Sequence, residues 1–205
     1  MIENTLQNAV SNNWPMLFIF TTVIVTIRLV YLIVHKEKFV FYKEILMLAF
    51  LIYSMLLFYV VTFQDVNYGT NNFVPFKEIF RYEFGSKVFI KNIVGNIILF
   101  IPFGLFVSYI MKTRKAFPIL IISLITSSVI EYTQLKIGRT FDIDDITLNI
   151  VGGFIGYLIY IVLDILSDHL PSFFKTDLFK NIITVVIVII LFLVYTNYSL
   201  WGILR

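Results

Sequence analysis

Apolar residues in this chain fall in long unbroken runs, not in the alternating or one-sided patterns of a water-soluble fold. A run of about 17–25 apolar residues, wound as a helix, spans the roughly 30 Å hydrocarbon core of a bilayer. Six such runs are present: Met16–Val34, Ile45–Phe63, Val88–Ile110, Pro118–Leu135, Ile146–Leu163 and Ile182–Tyr198. They predict an all-α polytopic membrane bundle of about six transmembrane helices, with 1–205 as a single membrane domain. The segment Asn72–Phe84 is too short and too charged to cross. Phe73, Phe76, Phe80 and Phe84 recur there at helical spacing, with Lys77, Glu78, Arg81 and Glu83 between them. That pattern predicts one interfacial helix, with Pro75 near its first turn.

Composition agrees with the pattern. The chain is 59% hydrophobic and 14% charged, against about a quarter charged in a soluble domain. No basic residue precedes the first run and no small-x-small site follows it, so that run is expected to remain as a helix. The net charge is +3 and the basic residues are scattered, which gives nucleic-acid binding no support. There is no cysteine, so disulfides, thiolate nucleophiles and Cys-ligated metals are excluded. The two histidines, His35 and His169, both fall on the face away from the polar residues considered below. No metal and no cofactor is expected. The compact basic cluster Lys112-Thr-Arg-Lys115 predicts a cytoplasmic loop, which puts both termini outside. Arg28, about six residues from the cytoplasmic end of the first run, is expected to snorkel to the headgroups.

Polar residues inside the runs are costly and mark candidate function. Ser123, Ser127, Glu131 and Gln134 share one helix face; so do Asp145, Asn149, Gly152 and Gly156; Asn92 and Asn96 are one turn apart. All three stripes are polar in the outer half of their span. Packed together, they predict one outward cleft rimmed by the loop Lys136–Asp145. Each stripe also has a structural reading. Glu131 can serve as an ion-pair partner of Arg139 or Lys91, and the asparagines can bond between helices. Asp142, Asp144 and Asp145 can form a solvated loop with helix-terminal charge, or a weak hard-cation site.

The residues in these stripes resemble the VanZ-like family of bacterial membrane proteins, whose founding member is associated with teicoplanin resistance. The resemblance is carried by Asn72-Phe-Val-Pro-Phe76, Asn92-Ile-Val-Gly-Asn96 followed by Phe100-Ile-Pro-Phe-Gly104, and Glu131-Tyr-Thr-Gln134. Gly138-Arg139-x-Phe-Asp142-Ile-Asp-Asp145 and Asn149-Ile-Val-Gly-Gly153-x-x-Gly156 follow in order, within a core at 50–165. It implies a multi-pass protein of the bacterial cell membrane that lowers susceptibility to lipid-anchored glycopeptides; the basic cluster at Lys112–Lys115 predicts that these loops are extracytoplasmic.

The expected partner is a membrane lipid or a lipid-linked cell-wall intermediate. The leading expectation is binding of its headgroup by Asn92, Asn96, Glu131, Gln134, Arg139, Asp142, Asp145 and Asn149. Arg139 would meet an anionic phosphate through its planar fork. The alternative is a carboxylate-dependent hydrolase or transferase acting on a lipid-linked envelope substrate, with Glu131 or Asp145 as general base. Whether the protein is an enzyme stays open at this point.

Overall fold

A computed structural model of the protein describes residues 2–63 and 70–203, with side chains described over 14–60 and 70–196. The described residues form α1 (Ile2–His35), α2 (Phe41–Phe63), α3 (Lys77–Arg81), α4 (Lys87–Met111), α5 (Ala116–Lys136), α6 (Ile143–His169), α7 (Ser172–Lys175) and α8 (Asp177–Ile203). The fold is all-α. Six of these helices carry a stretch long and apolar enough to cross a membrane, one for each predicted run.

The helices outrun the apolar stretches because polar residues close their ends. α6 begins at Ile143 because the Asp142 carboxylate accepts from the Asp144 N–H at 2.9 Å, an N-cap. α5 closes in a Schellman turn. Gly138 takes φ +86°, its N–H donates to the Leu135 carbonyl, and the Arg139 N–H donates to the Gln134 carbonyl at 3.0 Å. Within α4, Ile90–Val94 form a π-helical turn around Asn92, a local feature frequent at functional sites.

The expected interfacial helix is shorter than its pattern suggested: only Lys77–Arg81 is helical. Upstream, Asn72 pairs with the loop before α6. Its N–H donates to the Phe141 carbonyl at 2.8 Å, and its carbonyl accepts from the Ile143 N–H at 3.1 Å. That pairing holds the start of the strap (residues 70–86, which carry α3) extended and defers the helix until after Pro75.

One compact unit is built on Ile52–Ile165. Its core is set by how closely α4, α5 and α6 approach. A Cβ on Gly104 would collide with the backbone of Gly153; on Gly152, with the Ile97 carbonyl; on Gly156, with the Ile101 carbonyl. On Gly153 it would meet Ser123 Oγ. Small residues permit the close backbone contact that drives helix association in lipid. Phe100 and Ile119 are fully buried in this unit. At the end of the unit where α4 finishes and α5 begins, Arg114 pairs with Asp164 at 2.6 Å, and Tyr157 Oη donates to the Arg114 carbonyl at 2.8 Å.

The second unit comprises Phe18–Leu51 and the chain from Leu166 onward. In it Arg28 makes a two-pronged pair with Glu44, 3.0 Å on each prong, and also lies 3.7 Å from Glu37. Its charge is therefore met by protein carboxylates as well as by any headgroup it reaches. The α2 N-terminus is capped by Asn181, whose side-chain oxygen accepts from the Tyr42 N–H at 3.0 Å.

Gly104→Leu should destabilise the first unit by about 1–3 kcal/mol or more through overpacking, read as a lower melting temperature in detergent. Gly95→Ala should be nearly neutral, because its Cβ meets only the Ile90 carbonyl at 3.7 Å.

Candidate functional site

Where α4 begins, α5 ends and α6 begins, the first unit encloses a polar cavity of about 130 Å³. Asn92 and Asn96 reach it from α4, Gln134 from α5, Arg139 and Thr140 from the Schellman loop, and Asp142 and Asp145 from the α6 N-terminus. Glu78 and Tyr82 close one side from the strap, and Lys91 adds a second cation.

The wall is held by hydrogen bonds between elements. Asn96 Nδ2 donates to Asp145 Oδ1 at 2.5 Å, tying α4 to α6. Asn92 Nδ2 donates to Tyr82 Oη at 3.1 Å, and Tyr82 Oη donates to Glu78 at 3.2 Å. Glu78 also pairs with Arg81 at 3.1 Å. The Arg139 charge acts on both Glu131 and Asp145. Burial pushes the Tyr82 phenol up, against the Asn92 bond that lowers it; the Glu78 charge adds to the rise.

Two residues of the expected set stand behind the wall, outside the cavity lining. Glu131 is 1% exposed, and its carboxylate accepts the Asp142 N–H at 2.9 Å. Asn149 is buried one turn deeper and donates to Ser127 Oγ at 2.8 Å. The structure thus brings Asn92, Asn96, Gln134, Arg139, Asp142 and Asp145 to one hollow, and gives Glu131 and Asn149 the work of positioning its frame. Asp145 is the one general-base candidate of the pair that reaches the hollow.

Asp144, outside the expected set, is the organising residue. It is 1% exposed. Its carboxylate accepts the N–H groups of Phe76, Glu78 (2.7 Å) and Ile79 (3.4 Å), and the Asn72 side-chain amide at 3.4 Å. A carboxylate from α6 therefore caps α3, whose own preceding residue, Phe76, sits at φ 66° with no side-chain cap. Asn72 completes the knot: its amide donates to Asp142 at 2.8 Å and its oxygen accepts from the Val74 N–H at 3.2 Å. Helical spacing put Asp145 with Asn149 on the polar face, and Asp144 entered only as a loop or helix-terminal charge or part of a weak hard-cation site. The signal for it lay in the strap, where consecutive N–H groups beside a proline need an acceptor.

Burial holds the Asp142 carboxyl above its ordinary range. The Asp144 N–H and the Asn72 amide oppose that, while the charges of Asp144 and Glu78 add to it. Among the described residues, no group of three or more His, Asp or Glu side chains is disposed to hold a metal ion. Asp142 and Asp144 spend oxygens on backbone and amide N–H groups instead.

The VanZ/LLP1 family model matches residues 44–164, more than half of the chain and all of the cavity. The chain belongs to the VanZ/LLP1 family. It is 38% identical over 72 residues to Protein VanZ of Enterococcus faecium, a stretch covering 34% of this chain and 44% of that protein. The chain therefore spans less than half the length of the relative it matches. No solved structure matches it. Within the VanZ/LLP1 region lie the strap, α3, α4, α5 and nearly all of α6, whereas α1, α7 and α8 fall outside it.

Asp144→Ala in this VanZ/LLP1 chain should release the strap. Leaving buried N–H groups without an acceptor costs about 1–3 kcal/mol each, so amide hydrogen exchange over residues 74–80 should accelerate while exchange in α5 stays slow.

Proposed function

We propose that this VanZ/LLP1 protein is a bacterial envelope protein that holds the headgroup of a lipid or lipid-linked cell-wall intermediate in the polar cavity. The cavity faces outward, and occupancy lowers susceptibility to lipid-anchored glycopeptides such as teicoplanin. One observation carries this reading: a hollow lined by carboxylates, amides, a guanidinium and an ammonium sits at one end of helices otherwise fit for hydrocarbon. Polar groups at such a place are costly unless they serve a ligand or each other. The Arg139 fork, with Lys91 also in the cavity wall, suits a phosphate. The amides of Gln134, Asn92 and Asn96 suit hydroxyl or amide groups. The strap beside the cavity exposes Phe80 (84%) and Phe84 (88%), which suits a segment resting in the headgroup layer. Resistance in the founding relatives of the family supports the last step, since a glycopeptide anchored by an acyl tail searches for its target at that same surface.

Arg139→Gln should weaken binding of a phosphate-bearing lipid by roughly 10–100-fold, the loss of a charge-assisted bond, measured by lipid titration of the purified protein in detergent. In a susceptible host the same substitution should abolish any rise in teicoplanin tolerance that the wild-type protein confers. Unchanged lipid binding by Arg139→Gln would end the reading.

Orientation is tested separately. The chain has no cysteine of its own. A single cysteine at Lys136 should label in intact cells with an impermeant thiol reagent, and one at Lys115 only after lysis. The reverse pattern would place the cavity on the cytoplasmic side.

A further inference from the structure

The cavity wall carries charged groups of both signs. Glu78 can be set aside, because Arg81 meets it at 3.1 Å. Four carboxylates remain at the wall or directly behind it, namely Glu131, Asp142, Asp144 and Asp145, against the two cations Arg139 and Lys91. Asp144 faces the N–H groups of the strap, whose dipoles answer much of its charge. The Arg139 charge is felt at both Glu131 and Asp145. Asp142 is met by an amide and an N–H, neither of which carries a full positive charge. A phosphate alone would engage Arg139 and Lys91 and bring nothing positive to Asp142 and Asp145, which line the same hollow. The hollow is also small: about 130 Å³, against roughly 300–1,000 Å³ for a drug-sized pocket. Only a compact group enters.

We infer that the headgroup taken by this cavity is zwitterionic: a phosphate against Arg139 and Lys91, and a protonated primary amine against Asp142 and Asp145. An ammonium brings three donors and no acceptor, the complement of the two carboxylates, Asp142 and Asp145, that line the hollow. This inference rests on the headgroup-binding reading above and adds the ligand's positive charge to it.

The test uses the full-length protein in maltoside micelles, titrated with three lipids of matched acyl chains and read by native mass spectrometry. Phosphatidylethanolamine carries the phosphate and the amine, phosphatidylglycerol the phosphate alone, and N-acetyl phosphatidylethanolamine a masked amine. Phosphatidylethanolamine should bind about tenfold more tightly than either of the others, the worth of one charged hydrogen bond. Asp145→Asn keeps an acceptor for Asn96 and should bring the three lipids near parity; the wild-type comparison decides even if that variant does not fold. Equal or tighter binding of phosphatidylglycerol to the wild type would overturn the zwitterion and leave headgroup binding standing. Binding of none of the three would overturn both. Soluble phosphorylethanolamine displacing the lipid as well as the lipid displaces itself would uphold the zwitterion and move its source from the membrane to the aqueous phase.

Discussion

The cavity exists because buried carboxylates take on the hydrogen bonds of a non-helical backbone. Between α5 and α6 the chain must leave one helix and enter the next at the end of an apolar bundle, where each unpaired N–H is expensive. Glu131 receives the Asp142 N–H, Asp142 receives the Asp144 N–H, and Asp144 receives three more from the strap. The relay runs from α5 through the α6 N-terminus to α3, and each acid fixes the position of the next. Without it the strap would have no register against the loop, and Tyr82 and Glu78 would have no fixed place in the wall.

A consequence is a division of labour among acids that look alike in the sequence. Asp142, Asp144 and Asp145 stand within one turn of a helix, yet they point to different tasks. Asp144 turns to the strap, Asp142 splits its oxygens between Asn72 and its own helix end, and Asp145 meets Asn96 and the field of Arg139. The role of each follows from the neighbour its helical angle presents. Glu131, the one acid in α5 and 1% exposed, supports the frame rather than lining the hollow.

Much of the fold could be read from the chain because apolar run length is a strong and local signal. Each of the six predicted runs lies within, or nearly within, a helix long enough to cross. The depth of the polar stripes likewise pointed to one end of the bundle, since α-helical spacing and antiparallel order bring those ends together. Three things were not legible. The strap is extended because Asn72 pairs across about seventy positions with Phe141 and Ile143, and no local pattern encodes such a partner. The importance of Asp144 depends on that same distant pairing. The burial of Glu131 and Asn149 depends on rotation of α5 and α6 about their axes, which the glycine contacts decide and hydropathy does not.

Those glycine contacts also bear on what can move. Beneath the hollow, α4 and α6 touch backbone to backbone at Gly104–Gly153, Gly152–Ile97 and Gly156–Ile101. Such a seam leaves no room for a side chain between the two backbones and gives the hollow a floor. The three contacts thus close the underside of the hollow between α4 and α6, and any side chain larger than hydrogen at Gly104, Gly152 or Gly156 would have to part the two helices.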